Sequence, residues 1–168
     1  MARNGGAVLC ICNTVKAAHK QYRRFKELVQ EAFPLGLLHS RFPFWRREKI
    51  EDEWMERFGK SEKTRCGSIL VSTQIVEQSV DLDADLMITE LAPTDMLLQR
   101  LGRLWRHERE QRPVDAARFY IIKEEKSLDE FRSMEPKAIV DSLGGKARVY
   151  DAFVLLRTLQ LWESYPNV

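Results

Sequence analysis

Two patterns of apolar residues take turns along the chain. Short continuous runs occur at Ala7 to Cys12, Leu35 to His39, Ser68 to Thr73, Leu86 to Leu91 and Ala117 to Lys123. Bounded by turn residues, such runs predict strands buried on both faces. Between them, apolar residues recur at three- and four-residue steps, the spacing of one helix face. Val15, Ala18, Tyr22, Phe25, Leu28, Val29 and Ala32 predict a helix capped by Asn13 or Thr14 and stopped by Pro34. Phe44 to Phe58 predicts a second, with Ile50, Trp54, Met55 and Phe58 inward and Gly59 closing it. A third is expected from Asp95 to about His107, before Pro113. The last, Arg148 to Glu163, is apolar nearly all round and is expected to be buried. Ser127 to Gly145 is charged and holds Gly144-Gly145, so it is expected to be the least regular stretch. Strand alternating with helix implies an α/β fold of three layers, a mostly parallel sheet with helices on both faces.

Composition narrows the partners. With 44% hydrophobic and 31% charged residues the chain is an ordinary globular sequence, and a net charge of +2 does not announce a nucleic-acid binder. Any basic surface is local, and basic residues cluster at Lys16 to Lys26, Arg41 to Lys49 and Arg100 to Arg112. No apolar run approaches the roughly 18 residues of a membrane span, and no signal-peptide pattern is present, so the expected location is cytoplasmic. Cys10 and Cys12 share one face of a strand. Neither Cys66 nor the scattered His19, His39 and His107 supplies a second ligand pair, so buried thiols rather than a metal site are expected.

The chemistry concentrates in Gln99 to His107, QRLGRLWRH. On a continuous helix Arg100, Arg103 and Arg106 would fan over an arc of roughly 120°. Gly102 inside that arc would keep the backbone approachable. Planar, permanently charged forks around a bare spot suit a polyphosphate. Leu97, Leu98, Leu101, Leu104 and Trp105 surround the arginines, against a merely solvated charge run. Other motifs fail on inspection. Asp81, Asp83 and Asp85 open like a calcium loop, but the required glycine falls on Leu86 and the closing glutamate on Ala92. Gly144-Gly145-Lys146 continues into Ala147 rather than Ser or Thr. Glu51-Asp52-Glu53 lies in a helix pattern instead of ending a strand. No loop cradles phosphates and no strand-end carboxylate holds magnesium.

A second polar group lies in ILVSTQIVEQSVDLDADLMITEL, where Thr73 ends a buried run and Gln74, Glu77, Gln78, Ser79 and Asp81 follow. In an open parallel sheet, ligands bind outside the carboxyl ends of the strands. Turn residues satisfying their own backbone would account for Ser79 and Asp83, but less well for so many polar side chains in an apolar unit.

Together these residues resemble the second RecA-like domain of superfamily 2 helicases. Val71-Ser72-Thr73 through Val80-Asp81 resembles its motif V, QRLGRLWR its motif VI, and VLCICNTVKAA and LLHSRF the segments that open the domain. The resemblance runs from about residue 7 to 123, and its details are most similar to the CRISPR-associated helicase-nuclease of type I interference systems. Ser79 stands where most of the superfamily has glycine. The resemblance implies a domain over residues 1–125, with 126–168 a charged connector and an apolar helix packed on it. It also implies an ATP-dependent helicase or translocase acting on single-stranded DNA in antiviral defence. Arg103 and Arg106 would be arginine fingers, ordered by Gln99 and Arg100, with Arg100 alternatively a structural ion-pair partner. Asp81 would approach the nucleotide sugar, and Glu77 would position the two motifs. Asn13, Thr14, His39, Ser40, Arg41 and Thr73 would hold DNA phosphates. ATP and Mg2+ would be held by a first RecA-like domain, which this sequence does not show. That domain, a nuclease domain and an RNA-guided surveillance complex are the implied partners. Another superfamily 2 motor, or a non-catalytic RecA-like binding module, remains the alternative.

Overall fold

The computed structural model describes residues 2, 5–30, 32–60, 67–77 and 81–165. Cys66, Gln78, Ser79 and Val80, named above, lie outside the described residues. The strands β1 (Ala7–Ile11), β2 (Leu35–Leu38), β3 (Ser68–Ser72), β4 (Leu86–Thr89) and β5 (Arg118–Ile121) form one sheet in the order β2-β3-β1-β4-β5. Every pairing is parallel, with Leu9 opposite both Leu70 and Met87.

The period of two decides which helix each strand residue meets. Val8, Cys10, Ile69 and Val71 point to one face, where α1 (Val15–Val29) covers them with Ala18, Tyr22, Phe25 and Val29. Leu9, Ile11, Leu70 and Met87 point to the other, against Trp54 and Phe58 of α2 (Phe44–Phe58). Gly36 in β2 is what lets Trp54 lie flat there, because a Cβ would come 2.2 Å from the indole. Cys10 and Cys12 are buried free thiols, and the Cys12 thiol is pushed up by its hydrogen bond to Cys10 and by burial.

Three elements differ from the sequence expectation. The arginine helix, α3 (Thr94–Leu101), stops at Gly102, whose N–H still bonds the Leu98 carbonyl. Leu104 then forms a one-residue bridge with Ala84, and Trp105 takes a left-handed conformation with φ 48°. The bridge and the packing of Leu104 against the α2-side core replace the turns a longer helix would have made. The three arginines therefore do not share a helical arc, and Gly102 marks the end of a helix instead of a bare spot within one.

The second difference is at 127–143, which is regular. It holds α4 (Leu128–Arg132), opened by a capping box of Ser127 with Glu130, and α5 (Pro136–Leu143), with Pro at its start. The third is α6 (Ala152–Glu163), which begins later than expected, at the Asp151 cap. It buries Leu155, Thr158 and Leu159 but leaves Phe153 69% exposed, so it is amphipathic. With α4 and α5 it packs on Leu91 and Ile121 at the β4-β5 end of the sheet.

Candidate functional site

Arg100 comes from the last turn of α3 and turns inward at the carboxyl tips of the central strands, where it is fully buried. Its Nε donates to Glu77 Oε1 at 2.8 Å, Nη1 to Thr89 Oγ1 at 2.6 Å and to the Glu90 carbonyl at 3.1 Å. Nη2 donates to Asn13 Oδ1 at 3.1 Å and Tyr150 Oη at 3.3 Å. All three guanidinium nitrogens are thus satisfied by this chain. Burial pushes the Glu77 carboxyl up from its ordinary value, and the Arg100 charge and hydrogen bond act against that shift. Asn13 is buried too, with its amide donating to the Leu91 carbonyl at 2.7 Å. Arg100 takes the place of the structural ion-pair partner that was its alternative reading, and Asn13 departs from the expectation of a DNA-phosphate contact. Arg100 and Asn13 join five segments of the fold to one another, and their hydrogen bonds are taken up within this chain.

Arg103 and Arg106 lie on the loop after α3 and are placed differently. Arg103 is half-buried, and its Nη2 donates to the Glu77 carbonyl at 2.7 Å while its Nε has no partner among the described residues. Burial first, and then the neighbouring Arg106 charge, lower its pKa, with Asp81 opposing. Arg106 is exposed and forms an ion pair with Asp81. The other Asp81 oxygen meets His107 Nε2 at 3.1 Å. The structure therefore gathers Asp81, Arg103 and Arg106 together, with Arg103 resting on the backbone of the buried Glu77. Gln99 is exposed on α3 and stands apart from this group, with no hydrogen bond among the described residues.

What holds this loop in place was not legible as such. Asp83 and Asp85, read from sequence as turn residues or a failed calcium loop, are fully buried. Asp83 accepts from Arg109 Nε at 2.6 Å, from Arg112 Nη2 at 3.1 Å and from the Arg106 N–H at 2.9 Å. Asp85 accepts from Arg112 Nη1 at 2.8 Å and from the Ala7 N–H at 2.9 Å. The Arg112 guanidinium also lies 4.7 Å over the Trp105 ring. The only sequence signal was the alternation of aspartates at 81, 83 and 85 facing a later arginine cluster.

The remaining expected contacts divide between two depressions. Thr14 caps α1, accepting from the Ala17 N–H at 3.1 Å. It lines a groove of about 900 Å³ with His39, Arg41 and a row of Lys16, Lys20 and Arg23 from one face of α1. Lys146, also there, is held by Glu124 at 2.7 Å. His39 is buried, with Nε2 3.0 Å from His19 Nε2, and burial and then His19 lower its pKa, which favours the neutral ring. Ser40 and Thr73 line a separate cleft of about 470 Å³ with Arg47, Glu51 and Gln74.

Polar and charged side chains thus collect at the carboxyl ends of the strands and on the loop after α3. A family model described as CRISPR-associated nuclease/helicase Cas3, C-terminal, matches residues 4–109. The CRISPR-associated endonuclease/helicase Cas3 of Escherichia coli K12 is 48% identical over 114 residues, which is 67% of this chain and 13% of that protein. The crystal structure of T. fusca Cas3-AMPPNP superposes with a TM-score of 0.84 at 35% identity, over 99% of this chain and 18% of that one. A chain in a structure of a CRISPR RNA-guided surveillance complex, pre-nicking, is matched over 97% of this one, with a TM-score of 0.74 at 33% identity. This chain spans less than a fifth of each of these proteins. On sequence, fold and motif placement together, the chain belongs to the Cas3 family and corresponds to its C-terminal RecA-like domain.

Proposed function

We propose that this chain is the second RecA-like lobe of an ATP-driven motor that moves along single-stranded DNA in CRISPR interference. ATP with its Mg2+, held on a facing first lobe, supplies the phosphoryl group whose transfer to water drives the cycle. Arg103 and Arg106 face that nucleotide across the cleft between lobes and stabilise the charge that develops on the γ-phosphate oxygens. Asp81 keeps Arg106 oriented until the lobes close. The Glu77–Arg100 pair fixes the turn whose carbonyl holds Arg103, so both arginines are positioned from the strand tips. Thr73 and Ser40 on one side, and Thr14 and Arg41 on the other, meet the phosphates of the strand. Closing and reopening of the lobes then move that strand past them. The surveillance complex is the partner that delivers the DNA.

The observation that carries this reading is the placement of half-buried Arg103 and exposed Arg106 together on the loop after α3, beside Asp81. Two adjacent guanidiniums, one of them exposed, form a site for an oxyanion. The test uses a polypeptide that joins this chain to the phosphate-binding lobe. Arg103→Ala is expected to lower DNA-stimulated ATP hydrolysis at least about 10³-fold while DNA affinity stays within a few-fold. Turnover within a few-fold of the parent would overturn the assignment. The isolated chain is expected to show no significant ATP hydrolysis, since the arginines act only on a nucleotide held opposite them.

A further inference from the structure

The segment from Phe42 to Lys49 presents a surface that the arginine clusters do not explain. β2 is an edge strand, and beyond its carboxyl end the chain turns through Ser40 and Arg41 into α2. The first two residues of α2, Phe44 and Trp45, are 69% and 67% exposed. The Arg47 guanidinium lies 5.4 Å over the Phe44 ring and is held there by Glu51 at 3.5 Å. Behind it, Arg46 sits 5.5 Å over Phe42, and Phe42 stacks on His39 with centroids 4.2 Å apart and planes 4° apart. Among the described residues no ring or guanidinium covers Trp45. Lys49, one turn on, lies on the same side of the helix as Trp45.

Charge identifies the occupant. Residues 41–50 carry Arg41, Arg46, Arg47 and Lys49 against Glu48 alone, and the first turn of α2 has no acidic residue. An uncovered indole beside arginine-covered rings carries the elements of single-strand binding, in which a base stacks on the open ring and the backbone follows the positive charge. The platform also continues the polar path. Arg47 and Ser40 line the cleft that holds Thr73, and Arg41 lines the basic groove. We propose that Trp45, backed by the Phe44–Arg47 pair, stacks a base of the single strand as it leaves the Ser40–Thr73 cleft. This rests on the reading that single-stranded DNA crosses these loops.

The experiment uses the full polypeptide and a mixed-sequence single-stranded oligodeoxynucleotide. Trp45→Ala is expected to weaken binding about 5- to 100-fold with an unchanged dependence on salt, because stacking releases no counterions. Trp45→Phe is expected to keep most of the affinity and to abolish the quenching of indole emission seen when the parent binds. If Trp45→Ala binds as tightly as the parent and the emission is unquenched, the platform is disproved while the motor reading stands. If the parent binds no single strand at all, both fail. If the surveillance complex perturbs Trp45 emission and the oligonucleotide does not, the surface serves a protein contact and the proposal is rejected.

Discussion

Arg100 and Arg103 stand three residues apart in one motif, and the structure gives them opposite situations. Arg100 is sealed at the strand tips with every nitrogen matched, whereas Arg103 lies half-buried on a loop. The contrast teaches that spacing does not assign roles within an arginine motif. What marks Arg100 as a joint is that the fold has consumed its hydrogen-bonding capacity.

The sharpest way to break the comparison is to remove each arginine in turn. The large loss of turnover expected for Arg103→Ala should come with a change in unfolding free energy of no more than about 1.5 kcal/mol, the worth of its hydrogen bond to the Glu77 carbonyl. Arg100→Ala should do the reverse at the level of folding. It strands the Glu77 carboxylate among buried groups, and a loss of about 3–5 kcal/mol is expected by urea denaturation. Arg100→Lys should not rescue it, because an ammonium cannot reach the separate acceptors that the planar fork spans. If Arg100→Ala leaves the midpoint unchanged, the tips are not joined as described.

Asp83 sharpens the comparison from the other side, since it holds the loop without touching any proposed ligand. Asp83→Asn leaves Arg109 facing a neutral amide and Arg112 with Asp85 as its remaining carboxylate, and a loss of about 3 kcal/mol in thermal or urea unfolding is expected. The smallest effect concerns Glu130. Hydrogen bonds from the Ser127 backbone and hydroxyl hold its carboxyl below the ordinary value. A depressed folded-state pKa contributes stability that is present above the ordinary glutamate value and is lost as pH falls through the folded one. Amide exchange in α4 should therefore accelerate on acidification below about pH 4.5, the ordinary glutamate value, and Glu130→Gln should flatten that response.

Much of the architecture was legible because strands and helices here follow their own periods. The five strands and the ends of α2 agree with the pattern of apolar runs; β1 and β3 are buried throughout, whereas the edge strand β5 alternates exposed and half-buried positions. The end of α3 was not legible from pattern. Leu98, Leu101, Leu104 and Trp105 continue a helical spacing, and only the pairing of Leu104 with Ala84, a contact between distant segments, redirects the chain. Gly102 was the local signal for that ending. The Ser127-to-Glu130 capping box and Pro136 were equally local signals for α4 and α5, obscured by Gly144-Gly145. In the site, proximity of Glu77, Asp81, Arg103 and Arg106 follows from motif order. The burial of Arg100 and Asn13, and the clamp of Asp83 and Asp85 on Arg109 and Arg112, depend on tertiary closure.

Tyr150 carries a practical lesson for anyone trimming this polypeptide. Its phenol takes hydrogen bonds from both Arg100 and Gln74, so a wall of the strand-tip chamber is furnished by the segment just before α6. A fragment cut after β5 would keep every helicase motif and still let water in on the guanidinium at its centre.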